Sequence, residues 1–168
     1  EFPNSFWDTI EKVETVQREG STEHILKREG ELAKLNINEF VIDQMGFVGK
    51  VVDLSDDQLI IKDLHQHDLM NEEVWGLVPR DIYQAMALNL LLDPDIHLVN
   101  LTGSAGSGKT ILALAACIEM TVASKLYKRI IATRSTQGLD EDIGFLPGTE
   151  AEKMEPWLGA IVDNLEAL

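Results

Sequence analysis

The sequence has a single cysteine, few aromatic residues (6%) and fewer than half as many basic as acidic side chains. One cysteine excludes an internal disulfide and any multi-cysteine zinc centre. Cys117 lies in the Ala- and Leu-rich run 111–122, which predicts a buried and chemically inert thiol. The apolar stretches are too short or too interrupted to cross a bilayer, and no basic segment followed by an apolar one opens the chain. A cytoplasmic location without membrane contact is therefore expected. Fourteen Lys and Arg against 29 Asp and Glu give a formal net charge of −15, the opposite of the basic footprint of a nucleic-acid-binding domain. The acid is uneven, with 18 acidic and 8 basic side chains in residues 1–84 against 11 and 6 in residues 85–168. A nucleic-acid groove, if the chain contributes to one, is confined to a local patch.

What is present is more specific. Residues 103–110 read Gly-Ser-Ala-Gly-Ser-Gly-Lys-Thr, the pattern GxxxxGK followed by Ser or Thr. The apolar run IHLVNL (96–101) precedes it as a candidate buried strand, and ILALAACIEMTV (111–122) follows as a candidate buried helix. Strand, glycine loop and helix form the context this motif needs to bind phosphate. The glycines allow consecutive N–H groups to turn inward as an anion nest at the positive end of the helix. Lys109 then supplies a mobile charge for the β- and γ-phosphates, and the Thr110 hydroxyl is placed to hold Mg²⁺. The nucleotide-binding residues are thus Gly103, Ser104, Ala105, Gly106, Ser107, Gly108, Lys109 and Thr110, with Lys109 and Thr110 the catalytic pair and Thr110 the metal ligand.

The rest of the chain divides by pattern. Residues 1–38 are charged and weakly organised, with Phe6, Trp7, Ile10, Val13 and Val16 at helix-like spacing, and the chain begins without methionine. They read as a linker or the tail of an upstream domain. Residues 39–74 form a small β-rich module whose runs EFVID (39–43), GKVVDL (49–54) and QLIIKDL (58–64) predict an antiparallel meander, turning at Ser55-Asp56-Asp57. Three strands alone are marginal, so the module is expected to pack on the nucleotide-binding part. His65, His67 and Asp68 lack the further ligands of a closed metal site. No metal beyond the nucleotide's Mg²⁺ is expected.

From residue 75 the sequence WGLVPRDIYQ opens a helix in which Pro79 suits the first turn and Asp81 the N-terminal dipole, with Asp93-Pro94 as its stop. Gln84 lies on this helix about 20 residues before the loop. A glutamine offers an acceptor and donors together to the edge of adenine. Spacing alone reads Gln84 as an ordinary polar helix residue.

Taken together, WGLVPRDIYQAMALNLLLDP, LVNLTGSAGSGKTILALAA, RIIATRS and DEDIGFLPGTEAEKMEPWL resemble the PhoH-like ATPases, in particular those in which a PIN nuclease domain precedes the ATPase. The resemblance covers residues 75–168. It implies the N-terminal part of an α/β P-loop NTPase domain with a RecA-like core, a parallel sheet with flanking helices, here preceded by the antiparallel β module. It implies ATP and Mg²⁺ as cofactors and hydrolysis coupled to remodelling of RNA or single-stranded nucleic acid. Gln84 maps to the adenine-reading glutamine. Thr133-Arg134-Ser135, after RIIAT, maps to a strand-end motif that touches the nucleic-acid backbone; Arg134 as a surface residue paired with Asp140–Asp142 stands beside that reading.

One part of the pattern departs. A working phosphate-loop ATPase needs, after the loop, an apolar strand ending in Asp. Phe40–Asp43 precedes the loop, and Ala160–Asp163 fits a helix better than a strand. An arginine finger and the later helicase motifs are missing too. The chain is accordingly expected to be a fragment that binds nucleotide weakly at best, does not hydrolyse it alone, and tends to self-associate as a homo-oligomer through uncovered apolar surface. A nucleotide-dependent switch, a small-molecule kinase and a non-catalytic remnant are the rival readings of the same loop.

Overall fold

The computed structural model describes residues 1–133 other than Pro3 and Glu19. They fall into two units. Among the described residues, the first holds Glu1–Glu72 and Val78–Leu90, and the second holds Glu73–Leu77 and residues 91–133.

The first unit is built on a five-stranded antiparallel sheet: β1 (Val13–Arg18), β2 (Ser21–Lys27), β3 (Phe40–Ile42), β4 (Val48–Leu54) and β5 (Gln58–Asp63), in the order β1-β2-β5-β4-β3. The meander expected from residues 39–64 is β3, β4 and β5. The segment expected as a linker instead carries β1 and β2, and β2 pairs with β5 along its whole length from Thr22↔Asp63 to Lys27↔Gln58. The helix-like spacing of Phe6, Trp7, Ile10, Val13 and Val16 misleads because only Phe6–Thr9 is helical, a single 3-10 turn. After it, the alternation of buried His24 and Leu26 follows period 2. Gly20, at φ 82°, makes the β1–β2 turn.

Phe6, Leu26, Leu32, Val41, Val51, Leu59 and Ile61 form the main core. Two short-range features fix it. Asp43 Oδ2 accepts the N–H of Phe6 at 2.8 Å, while its Oδ1 accepts those of Met45 (2.9 Å) and Phe47 (2.8 Å). One carboxylate therefore ties the N-terminal segment to the β3–β4 turn, next to the Phe2 N–H donating to the Ile42 carbonyl at 2.8 Å. The second feature is aromatic: Phe47 stacks on Phe6 at 5.2 Å and meets Trp7 edge-on at 4.8 Å. Gly49 makes room for that ring, since a Cβ there would strike Ile61 and come within 2.8 Å of the Phe47 ring.

His24 is buried beside Trp7, with Thr15 Oγ1 3.0 Å from its Nδ1 and Asp63 3.8 Å from its Nε2. Burial lowers its pKa against the opposing pull of Asp63. Burial among these rings thus favours its neutral form.

Two helices cover a second apolar cluster. α1 (Gln66–Asn71) contributes Leu69 and α2 (Ile82–Leu91) contributes Ala85, both packed with Val48, Ile42, Leu64 and Met86. The module thus recruits the helix after Pro79, which was expected with the phosphate loop.

The second unit contains α3 (Lys109–Ile118), in which Leu112, Leu114, Ala115 and Ala116 are buried. A closing turn with i→i+5 hydrogen bonding extends it over Glu119–Ala123. Cys117 is exposed, which corrects the expectation of a buried thiol. The runs 96–101 and 129–133, expected as parallel strands, pair with no strand among the described residues, and Leu98 and Ile131 are 87% and 73% exposed. Apolar composition permits a strand, but only a paired neighbour makes one. Among the described residues no helix is long and apolar enough to cross a membrane.

Burial raises the Asp43 pKa, but the N–H groups of Phe6, Phe47, Met45 and Gly46 together outweigh it, and the net shift is downward. The carboxylate's contribution to stability is therefore complete above the ordinary carboxylate pKa and is lost as pH falls through the lowered folded value. Asp43→Asn should flatten the acid limb of a stability–pH curve measured by urea titration; an unchanged limb would count against the tie. Gly49→Ala should cost about 2–3 kcal/mol by overpacking.

Candidate nucleotide-binding site

The loop before α3 turns on its glycines. Gly103, Gly106 and Gly108 have φ of 152°, 77° and 87°, in the region closed to residues bearing a Cβ. At Gly106 there is open space around the missing side chain, so the backbone angle alone demands glycine there. Ser107 closes a turn by donating its N–H to the Ser104 carbonyl at 3.3 Å.

Helix α3 begins directly on this loop. Gly108 is its N-cap in the left-handed region and contributes no capping side chain. The first intrahelical bond runs from the Leu112 N–H to the Gly108 carbonyl at 3.0 Å. The N–H groups of the first turn thus have no intrahelical acceptor, and the helix dipole places partial positive charge at the same end. This is the electrostatic form of an anion site.

Lys109 lies back across the loop. Its Nζ donates to the Gly103 carbonyl (2.9 Å), the Ser104 carbonyl (2.7 Å) and the Ser107 hydroxyl (3.3 Å). The ammonium is held above the nest by oxygens of the loop itself, where a phosphate oxygen can take over from them. Thr110 is exposed in the first turn of α3, so its hydroxyl is accessible to a metal ion carried by the phosphates. The residues therefore fit a nucleotide's phosphate chain and its Mg²⁺. Gly103 to Thr110 are consecutive in one loop and helix turn, and the structure brings them together.

Gln84 lies in the first unit. Its N–H donates to Asp81 Oδ1 at 2.9 Å, and its Oε1 accepts the Arg80 N–H at 3.0 Å. Asp81 and Gln84 together close the N-terminus of α2 in the manner of a capping box. The spacing Asp-x-x-Gln carries this signal, which reading Gln84 as an ordinary polar helix residue or an adenine contact leaves out. Pro79 correspondingly precedes the cap rather than standing in the first turn. The Ser107 hydroxyl, which steadies Lys109, has no comparable signal in the motif beyond its place in the loop.

Thr133 is exposed, and Arg134 and Ser135 lie outside the described residues, as do GFLPG (144–148), Trp157 and Ala160–Asp163. His65 pairs with Asp63 at 3.4 Å and His67 with Asp68 at 3.3 Å. Among the described residues no group of three or more His, Cys, Asp or Glu could hold a metal ion.

The profile of the family described as PhoH-like protein matches residues 76–168. Protein PhoH2 of Bacillus subtilis is 42% identical over 134 residues, which cover 78% of this chain and 30% of that protein. Protein PhoH2 of Mycolicibacterium smegmatis is 41% identical over 99 residues (58% of this chain, 23% of that protein). Protein PhoH of Escherichia coli K12 is 44% identical over 69 residues (41% and 19%). The chain thus spans less than a third of the length of these relatives. No solved structure matches it.

The cap sets a prediction for Gln84 that is separate from any ligand. Gln84→Ala should lower stability by about 1 kcal/mol, whereas Gln84→Glu, which keeps the accepting oxygen, should stay near the wild type in a denaturant titration. Equal losses in both variants would remove the capping role.

Proposed function

The chain belongs to the family of PhoH-like proteins, and on that premise we propose that its Gly103–Thr110 loop binds Mg²⁺–ATP and that the intact protein hydrolyses it. In this reading the N–H groups of the loop and of the first turn of α3 hold the phosphates. Lys109 exchanges its loop carbonyls for β- and γ-phosphate oxygens, and the Thr110 hydroxyl takes the metal. When bound, Mg²⁺ neutralises charge on the phosphate oxygens. The observation that carries the proposal is an α3 N-terminus without a capping side chain, opening from three positive-φ glycines with an ammonium held over them.

Hydrolysis also requires an acidic group to orient the attacking water. Among the described residues after the loop the only carboxylate is Glu119, at the far end of the helix. Nucleotide binding is therefore the part of the activity for which the described residues supply the groups.

The finer reading is a RecA-like core, a parallel sheet with flanking helices, to which residues 96–101 and 129–133 contribute strands. Thr133, Arg134 and Ser135 then touch the backbone of RNA or single-stranded nucleic acid. Gln84 reads the edge of adenine. The intact protein acts in the cytoplasm as a helicase-like ATPase, linked to a PIN ribonuclease and assembled as a homo-oligomer. The net charge of −15 supports only local contact with nucleic acid.

Lys109→Ala should weaken binding of a Mg²⁺–ATP analogue at least about ten-fold by calorimetry, the loss of a charge-assisted contact to phosphate. It should also abolish ATPase activity stimulated by single-stranded RNA in the intact protein. Phosphate transfer to a metabolite with no response to nucleic acid would replace the helicase-like reading with a kinase. Gln84→Glu should narrow the preference for ATP over GTP; an unaltered preference would remove the adenine assignment.

A further inference from the structure

Residues Val74 to Leu77 form a two-residue turn closed on both sides: the Val74 N–H donates to the Leu77 carbonyl at 2.9 Å, and the Leu77 N–H to the Val74 carbonyl at 3.0 Å. Its two central residues, Trp75 and Gly76, have φ of 49° and 77°. Such a turn needs left-handed backbone at both positions, which Asn, Asp and Gly supply at little cost. Gly76 meets that need. Trp75 does not, because a bulky side chain at positive φ is strained.

The strain is not repaid by ring packing. The other described tryptophan, Trp7, is in edge contact with Phe6, Phe47 and His24. Trp75 has no ring partner among the described residues and keeps 36% of its surface exposed. Val74, beside it in the turn, is 1% exposed. The turn fixes Trp75 at a tip with part of its surface open, so that a flat partner meets a side chain whose backbone is already held. The tip groups with the unit that carries the phosphate loop, unlike α2.

We propose that Trp75 is a stacking platform for an unpaired nucleobase, a contact that neither spacing nor charge announces. It rests on the nucleotide-binding reading above and extends it from phosphates to base. An aromatic face stacks on any base, and a nucleobase reaches it either as the adenine of ATP or as a base of a single strand. A strained backbone held by two reciprocal hydrogen bonds and a buried anchor is the cost of presenting that face.

The test uses the full chain and calorimetric titrations with Mg²⁺–ATP analogue, Mg²⁺–tripolyphosphate and a single-stranded oligonucleotide, for the wild type, Trp75→Phe and Trp75→Leu. Trp75→Leu should lose about ten-fold in affinity for the base-bearing ligand, with Trp75→Phe recovering most of it and tripolyphosphate unaffected by either. A loss confined to the ATP analogue identifies adenine as the base; one confined to the oligonucleotide identifies the strand. Equal affinities of Trp75→Leu and wild type for both ligands would overturn the proposal. Should Trp75→Leu fold poorly, oxidation of the wild-type indole, mapped by mass spectrometry, replaces it: ATP analogue or oligonucleotide must protect Trp75, and tripolyphosphate must not. Oxidation unaffected by both base-bearing ligands would overturn the proposal equally. A wild-type chain that bound no tripolyphosphate would overturn the phosphate-loop reading instead, with the oligonucleotide arm still deciding the role of Trp75.

Discussion

The first unit depends on a single carboxylate. Asp43 gathers three backbone N–H groups from two places far apart in sequence, Phe6 on one side and Met45 and Phe47 on the other. By fixing Phe6 and Phe47 together it sets the rings that stack over Gly49, and those rings close the core against Leu26, Val51 and Ile61. Amide hydrogen bonds to an ionised acceptor are stronger than neutral ones, so a small group holds a junction that apolar packing alone leaves without register. The N-terminal residues are consequently part of the sheet unit and not a tether to it.

The two units came unequally out of the sequence. Strands β3 to β5 were legible because Val41, Val51, Leu59 and Ile61 fall in short β-branched and leucine-rich runs bounded by Gly46, Gly49 and Ser55-Asp56-Asp57. Strands β1 and β2 were not, because Phe6, Trp7 and Ile10 imitate a helical stripe while belonging to a 3-10 turn and its exit. The place of β2 in the sheet is set by pairing with β5, and β1 joins only through its hairpin with β2; no local pattern encodes a partner as distant as β5. The phosphate loop was legible for the converse reason. Its geometry is local, three glycines and a helix start, and needs no distant partner to be specified.

Between these extremes lies α2. Its existence was readable from Pro79, Asp81 and the apolar run, but its allegiance was not. Ile82, Ala85 and Met86 pack with Val48 and Leu69, an outcome decided by which apolar face meets which. The same helix shows how one residue type serves two readings. The Gln84 amide has an oxygen that caps the helix and an N–H₂ group of opposite hydrogen-bonding sense, and a search for one role conceals the other.

Lys109 carries a consequence for selectivity. An ammonium has three donors, and here they face two carbonyls and a hydroxyl of the loop. In the nucleotide-binding reading proposed above, an incoming anion does not meet an unsatisfied charge: it replaces acceptors already in place, and a halide, a single spherical acceptor, replaces them poorly. A chain of phosphates offers several oxygens in a row, some for the ammonium and others for the N–H groups of α3. Discrimination among anions then follows from how many acceptors each brings and how they are spaced, more than from net charge.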